Sequence, residues 1–228
     1  MMVLLISVVS GCTKTNSCNE ATLNLADCTT EAKQGVASAQ YQLGLMYNRA
    51  EGAPLDNKEA LKWALKAAEQ GHAEAQSFVG EMYFFGRAGI PPDLKQAIKW
   101  FHKAGEQGIV FAQNKLAVIY EMGFKDILQD EKQALKWYTK LAEQGDADEQ
   151  YRLGEMYKSG RRVAPQDYKQ TLKWFNKAAE QGHIEAQFDL GLMYYTGKGV
   201  PQDYQKSYLY FNVAVATGHE GASGFRDD

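Results

Sequence analysis

Apolar residues recur along most of the chain with the spacing of helices that bury one face. Between positions 186 and 194, alanine, leucine, methionine and aromatic residues fall three and four apart, as they do on one side of an α-helix. Gly197 and Gly199 then interrupt the pattern, and Pro201 prevents its continuation. A second apolar helical stretch begins after Asp203. The pattern therefore predicts pairs of helices, a helix A followed by a helix B, joined by short turns.

The helix pair recurs with a nearly constant period. A Glu-Gln-Gly tripeptide marks the end of helix B every 37 residues, with its glycine at Gly71, Gly108, Gly145 and Gly182. A helix-B tryptophan and a helix-A tyrosine keep the same phase, at Trp63, Trp100, Trp137 and Trp174 and at Tyr47, Tyr83, Tyr120, Tyr157 and Tyr194. One pair is too small to bury its own apolar face, so each tryptophan is expected to be covered by the neighbouring unit. The period predicts units at 36–71, 72–108, 109–145, 146–182 and 183–218.

Polar and small residues at fixed repeat positions predict how the helices begin and pack. Helix B is preceded by an aspartate in every unit, with glutamate or glutamine three residues later in four of the five, which fits a capping box. These aspartates are Asp56, Asp93, Asp130, Asp167 and Asp203. Glycine inside helix A, as at Gly154 and Gly191, costs about 1 kcal/mol relative to alanine and indicates close approach of helix B. In unit three, residues 125–129 of the A–B turn contain neither the glycine nor the proline found in the other turns, so a longer or bent helix end is expected there.

The full unit resembles a known repeat. It reads Ala-Gln-x-x-Leu-Gly-x-Met-Tyr, then Gly-x-Gly-Val-Pro-Gln-Asp-Tyr, then Lys-Trp-Phe-x-Lys-Ala-Ala-Glu-Gln-Gly, and it closely resembles the Sel1-like repeat, a relative of the tetratricopeptide repeat. The resemblance covers residues 36–218. It implies an all-α fold, a right-handed α-solenoid of about five helix pairs, and a non-catalytic adaptor that binds a protein or peptide in its concave groove.

Variable residues on helix A are the candidates for that groove. They occupy three positions, four and three residues apart, on one side of the helix. We predict as partner-binding residues Tyr41, Asn48, Glu81, Phe84, Glu121, Tyr151, Glu155, Lys158, Phe188 and Tyr195. Aromatic anchors among charged side chains suit an extended peptide or a partner helix. The alternative that several of these side chains belong to the core is left open.

The N-terminus has the pattern of an export signal. Residues 1–9 form an apolar run that is too short to span a bilayer and has the length of a signal-peptide core. The run ends in Val9-Ser10-Gly11-Cys12, which looks like a bacterial lipobox, although no lysine or arginine precedes it. This resemblance implies a lipoprotein signal peptide at 1–11, lipidation of Cys12 and a bacterial envelope location, with Thr13 favouring the outer membrane. An apolar tail with an incidental cysteine is the alternative.

Two further cysteines, Cys18 and Cys28, lie in segment 12–35, which is interpreted as a linker and capping segment. A disulfide is plausible in an oxidising compartment. Ten residues of straight helix would separate the two Cα atoms by about 15 Å, well beyond the ~7 Å that a disulfide spans, so bonding requires the chain to fold back. Both outcomes are left open at this point.

Composition narrows the partners further. With 25 basic and 28 acidic residues among 228, the net charge is −3, so no basic excess is available to bind nucleic acid. Zinc-binding, serine-hydrolase and phosphate-loop motifs are absent from the sequence, and we predict no metal, cofactor or catalytic residue. His102 is expected to be solvated or capping. An envelope enzyme with an unrecognised carboxylate or tyrosine site and a purely structural spacer remain alternatives. The tail, 219–228, reads as the start of a sixth helix A.

Overall fold

A computed structural model describes Cys18 and residues 24–87, 89–124, 127–160 and 163–225. Over these residues the regular structure consists of eleven α-helices and a final 3₁₀ helix, Glu220–Phe225, so the all-α prediction is confirmed. The helices are α1 Leu25–Lys33, α2 Ala37–Arg49, α3 Asn57–Glu69, α4 Ala73–Phe85, α5 Leu94–Glu106, α6 Val110–Met122, α7 Glu131–Glu143, α8 Ala147–Ser159, α9 Tyr168–Glu180, α10 Ile184–Thr196 and α11 Tyr204–Ala216. The even-numbered helices are the predicted helices A, and the odd-numbered ones from α3 onward are the helices B.

The chain divides into two compact units, with the boundary inside α5 between Ala97 and Ile98. In the N-terminal unit, α1, α2, α3 and α4 pack consecutively along the chain. In the C-terminal unit, α6 packs on α7, α8 on α9 and α10 on α11, while α7–α8 and α9–α10 contacts join successive pairs. Each helix pair therefore completes its core with its neighbours, as the repeat pattern predicts.

The repeated tryptophans are all buried in the core of their helix pairs. Trp63, Trp100, Trp137 and Trp174 are 8%, 5%, 0% and 2% exposed. Trp137 of α7 lies against the preceding helix B, where its ring would be 2.9 Å from a Cβ added at Gly105 and its centroid is 5.3 Å from that of His102. The prediction that a neighbouring unit shields the indole from water is confirmed at this position.

Glycines within helix A allow helix B to approach closely. A Cβ added at Gly44 would lie 3.0 Å from the backbone oxygen of Ala60, and one at Gly154 would lie 2.5 Å from the ring of Phe175. At Gly191 the corresponding distance to Phe211 is 2.7 Å. The predicted packing reason for these glycines is therefore confirmed.

The aspartate before each helix B satisfies two backbone groups, and only one of them as predicted. In all five units its carboxylate accepts the N–H of the residue three positions later at 3.0 Å. Its own N–H, which a capping box would pair with the glutamate or glutamine side chain, donates instead to the carbonyl of the repeat tyrosine in helix A at 2.8–3.0 Å. The reciprocal half of the predicted capping box is wrong because the short turn brings that helix-end carbonyl within reach first.

Unit three ends its helix A as the other units do. α6 is 13 residues long, as α4 and α8 are, and Gly123 follows it with φ of 67°. Phe124 and Ile127 then pair through two backbone hydrogen bonds of 2.9 Å. The expected longer or bent helix end is wrong, because a positive-φ glycine and this local pairing replace the missing proline.

The segment before the first repeat contains α1, whose buried Cys28 is joined to Cys18 by a disulfide. The two Cα atoms are 4.7 Å apart, so the chain folds back as such a bond requires. Cys12 and the predicted signal peptide, 1–11, lie outside the described residues. Of the helices in the described part of the chain, none combines the length and hydropathy of a membrane span.

Candidate functional site

A buried glutamine near the start of each helix A fixes that helix to the helix before it, which is α1 for the first unit and a helix B for the others. These residues are Gln40, Gln76, Gln113, Gln150 and Gln187, which are 3–5% exposed. Each Nε2 donates to a carbonyl near the end of that preceding helix at 2.8–3.3 Å. The Oε1 of Gln150 accepts from Gln181 at 2.9 Å, and that of Gln187 accepts from the hydroxyl of Thr217 at 3.1 Å. These hydrogen bonds fix the position of each helix A relative to the helix before it, and with it the position of the other side chains on helix A.

Three predicted partner-binding aromatics pack against histidines that follow the next helix B along the chain, and two of these pairs are stacked. The ring centroids of Tyr41 and His72 are 5.0 Å apart, those of Tyr151 and His183 are 4.5 Å apart, and those of Phe188 and His219 are 4.1 Å apart. The aromatic residue and the histidine occur together in the sequence. The two units that have Ser77 or Asn114 in place of the aromatic residue are followed by Ile109 and Asp146 in place of the histidine. That pairing was a visible signal that sequence reasoning missed.

Two of these histidines also serve as helix caps. The Nδ1 of His72 accepts the N–H of Ala75 at 3.3 Å, and the Nδ1 of His183 accepts that of Ala186 at 3.2 Å. A ring nitrogen thus satisfies one of the free backbone donors at the start of α4 and of α10. The described residues contain no group of three or more histidine, cysteine or acidic side chains arranged to hold a metal ion.

A charged cluster joins α8 to α10 on the helix-A side of the C-terminal unit. Lys158 Nζ lies 2.9 Å from Glu155 Oε1 and 3.0 Å from Asp189 Oδ2, and the Tyr151 hydroxyl donates to the same Asp189 oxygen at 3.0 Å. Tyr151, Glu155 and Lys158 were predicted from the sequence as partner-binding residues, but Asp189, which is 9% exposed, was not. Two carboxylates and one ammonium leave the cluster with one excess negative charge.

Burial and hydrogen bonding perturb the titration of this cluster. Burial alone would lower the pKa of Lys158, but its bonds to Glu155 and Asp189 outweigh burial and raise it, so the ammonium stays charged. Burial, followed by the charges of Asp189 and Glu155, raises the pKa of Tyr151, so the phenol stays neutral and acts as a donor. The Lys158 ammonium and the Tyr151 phenol therefore both keep their protons at neutral pH, and both donate to Asp189.

Glu121 belongs to a second polar contact. The Tyr138 hydroxyl donates to Glu121 Oε2 at 2.6 Å, and the guanidinium of Arg152 lies 4.8 Å from the centre of the Tyr138 ring. Burial, then the bond to Glu121, raises the pKa of Tyr138. Tyr138 and Arg152 were not predicted from the sequence, because α7 and the other side of α8 supply them.

The other predicted residues make local contacts. Asn48 donates to the side chain of Asn57 at 2.9 Å, Glu81 lies 3.3 Å from Arg87, Phe84 meets Phe85 edge-on at 5.0 Å, and Tyr195 lies edge-on to Tyr204 at 5.7 Å. All ten predicted side chains are half-buried. The structure brings Tyr151, Glu155 and Lys158 into one cluster, whereas those of the N-terminal unit take part in separate contacts.

His102 is partly buried and does not cap a helix, so the capping role is wrong. Its Nε2 lies 2.7 Å from the Tyr120 hydroxyl, and its ring packs edge-on to Trp137. Burial, and then the charge of Lys136, lowers its pKa against the opposing effect of Glu106. The sequence placed the histidine alone on helix B, but residues of the neighbouring unit contact it.

The repeats observed in the structure match those of a known protein family. The family model described as "Sel1 repeat" matches residues 37–72, 73–109, 110–146, 150–183 and 184–219. The chain belongs to the Sel1 repeat family. Each match except the fourth begins one residue after the corresponding predicted unit, and the predicted family and fold class are confirmed.

Two solved Sel1-type structures are similar over most of this chain. A Sel1 repeat protein from Oxalobacter formigenes is 32% identical with a TM-score of 0.68, and the alignment covers 87% of this chain and 56% of that one. A protective antigen of uropathogenic Escherichia coli strains, which displays an SLR fold, is 32% identical with a TM-score of 0.58 over 89% of this chain and 43% of that one. The chain thus spans about half the length of these relatives. No curated protein matches it significantly.

Proposed function

We propose that this chain is a non-catalytic adaptor of the bacterial cell envelope that binds a partner peptide or protein on the helix-A face of its C-terminal unit. This face consists of Glu121, Tyr151, Glu155, Lys158, Phe188 and Tyr195. Sel1 repeat proteins are in general protein-interaction adaptors, and the half-buried aromatics of this face are suited to act as anchors. The charged side chains Glu155 and Lys158 of this face form an ion pair, and Glu121 accepts a hydrogen bond from Tyr138, which suits an ordered binding surface.

The observation that carries the proposal is the cluster around Lys158. Its ammonium is held between two carboxylates while the Lys158 and Glu155 side chains are still 34% and 40% exposed. Charges that are already ordered cost little conformational entropy on binding. With one excess negative charge, the cluster suits a basic side chain of the partner, flanked by an apolar segment that contacts Phe188 and Tyr195.

An envelope location is supported by the disulfide between Cys18 and Cys28, because structural disulfides persist mainly in oxidising compartments. The proposal includes a lipid anchor at Cys12, which is the membrane attachment that the lipobox resemblance implies. Replacing Cys12 by serine should abolish incorporation of a labelled fatty acid and release the chain from the membrane fraction. A cytoplasmic chain with reduced cysteines would overturn this part of the proposal.

Photocrosslinking tests the binding face directly. A crosslinking amino acid at Tyr195 or Glu155 should capture one partner in cells, identified by mass spectrometry, while the same group at Lys173 on the helix-B surface should not. Glu155→Gln should then weaken binding of the purified partner by about tenfold. Glu180→Gln, on exposed helix-B surface, is the matched control. Equal capture from Lys173, or unchanged affinity in the Glu155 variant, would contradict the proposal.

A further inference from the structure

Helix α11 presents an apolar surface to solvent. Tyr204, Tyr208, Leu209 and Val213 are 61%, 51%, 63% and 45% exposed, and we call these four residues the α11 patch. Three of them line one shallow depression together with Gln205. The other two helices B described over their full length in the C-terminal unit, α7 and α9, have no exposed large hydrophobic residue. An exposed apolar surface of this kind marks an interaction site more often than chance.

The repeat accounts for part of the patch only. Tyr204 and Tyr208 stand where Tyr168 and Leu172 of α9 pack against the next helix pair, whereas the exposure of the other two residues has no such explanation. Leu209 and Val213 stand where both preceding helices B carry lysines, which are Lys136 and Lys140 in α7 and Lys173 and Lys177 in α9. The side chains of Lys136 and Lys140 remain 48% and 31% exposed although further helix pairs follow them. A following repeat therefore leaves these positions open to solvent, and the change from lysine to leucine and valine in α11 needs another partner to explain it.

The charge of this surface restricts what that partner is. Lys206 is the single charged residue within α11, and its Nζ lies 3.6 Å from the carboxylate of Asp203. An apolar surface without net charge binds best to another such surface, because burying an unpaired charge against it is costly. The same face of a second copy meets this condition. The side-chain amide of Gln205, which lies among the apolar residues of the depression, can form a hydrogen bond within such a contact.

The area of the patch is large enough to form the apolar core of a contact with a second copy. At about 200 Å² for a fully exposed side chain of this size, the four residues present roughly 400 Å² of surface. A standard interface buries about 800 Å² per partner, with an apolar core and a polar rim, so the patch supplies about half of the required area. We propose that two copies of this chain associate through α11, with the two helices packed antiparallel about a two-fold axis.

Sedimentation of the full chain tests the association. The wild type is expected to shift from monomer to dimer between about 1 and 100 µM. Leu209→Lys with Val213→Lys, which gives α11 the residues of α9, should remain monomeric with an unchanged circular dichroism spectrum. Met122→Lys with Leu128→Lys removes two exposed apolar residues elsewhere and should leave the dimer intact. A wild type that stays monomeric at about 100 µM, or a double-lysine variant that dimerises equally well, would overturn the proposal.

Disulfide trapping distinguishes a second copy from another protein. In a Cys12→Ser background, Leu209→Cys near the middle of α11 should form a crosslinked homodimer on mild oxidation. Lys173→Cys, the equivalent position in α9, should not. Equal crosslinking of the two variants would overturn the proposal, as would a monomeric chain in which a photocrosslinker at Tyr208 captures a different protein.

Discussion

Replacing Gln150 by alanine tests the glutamine contact that orients α8. The side chain is 4% exposed, its Nε2 donates to Ala142 O at 3.2 Å, and its Oε1 accepts from Gln181 Nε2 at 2.9 Å. Alanine removes both hydrogen bonds, together with the buried carboxamide and one buried methylene group. The prediction matters for function because Tyr151, Glu155 and Lys158 lie on the same helix.

The structure determines how large the loss of stability should be. Ala142 O keeps the N–H of Gly145 at 3.2 Å, and Gln181 is exposed, so neither group is left without a hydrogen-bonding partner. The two lost hydrogen bonds are each worth about 0.5–1.5 kcal/mol, and the one lost methylene about 0.8 kcal/mol. A small gain in helix propensity offsets part of this. We expect the free energy of unfolding to fall by about 1.5–3.5 kcal/mol.

The assay is urea unfolding followed jointly by tryptophan fluorescence and far-UV circular dichroism, because coupled repeats need not unfold in one step. Gln181→Ala alone should cost about 0.5–1.5 kcal/mol. The double variant should be more stable than the sum of the single losses predicts, by about 0.5–1.5 kcal/mol. A loss below about 1 kcal/mol at Gln150, or independent effects of the two residues, would refute the reasoning.

Three further changes test the packing, the capping and the titration. Gly154→Ala should destabilise the chain by about 1–2 kcal/mol despite its better helix propensity, because the new Cβ would meet the buried ring of Phe175; a more stable variant in urea unfolding would argue against close packing. Asp167→Ala should cost about 1 kcal/mol in the same assay, and no change would mean that the cap is dispensable. Burial lowers the pKa of His102, so the unfolded chain binds a proton more readily and stability should fall as the pH drops below about 6.5. His102→Gln should reduce this pH dependence, and an identical pH profile would exclude His102 as its source.

The period of the sequence predicted the helices well because several independent signals agree in each unit. Tryptophan burial, the glycine approach at Gly191 and the aspartate caps all follow from positions that repeat. The failures concern choices between alternative partners of similar energy. Whether the N–H of Asp130 is satisfied by a side chain or by the carbonyl of Tyr120 depends on the exact path of a short turn, which residue spacing does not determine.

The candidate site was predicted as a set of positions but not as a set of contacts. Helical spacing placed Glu155 and Lys158 together on one face of α8, and the structure agrees. It did not identify Asp189, which lies one residue from the predicted Phe188 and bonds to Tyr151 across 38 positions of sequence. Contacts between helix pairs depend on the stacking offset, and a single sequence without coordinates does not provide that offset.

A repeat protein separates structural from functional positions more clearly than most folds do. Where every unit has the same residue, as at the buried glutamines, stacking alone accounts for it. Residues that break the pattern on an exposed surface have no such explanation, because the chain itself shows that lysine is compatible with the fold at the positions of Leu209 and Val213. Unexplained departures of this kind locate binding surfaces. The helix-A face and the α11 patch adjoin where Tyr195 meets Tyr204 at 5.7 Å. Leu209 and Val213 are not part of that contact, so replacing both by lysine should abolish the dimer and leave the affinity for the partner peptide unchanged.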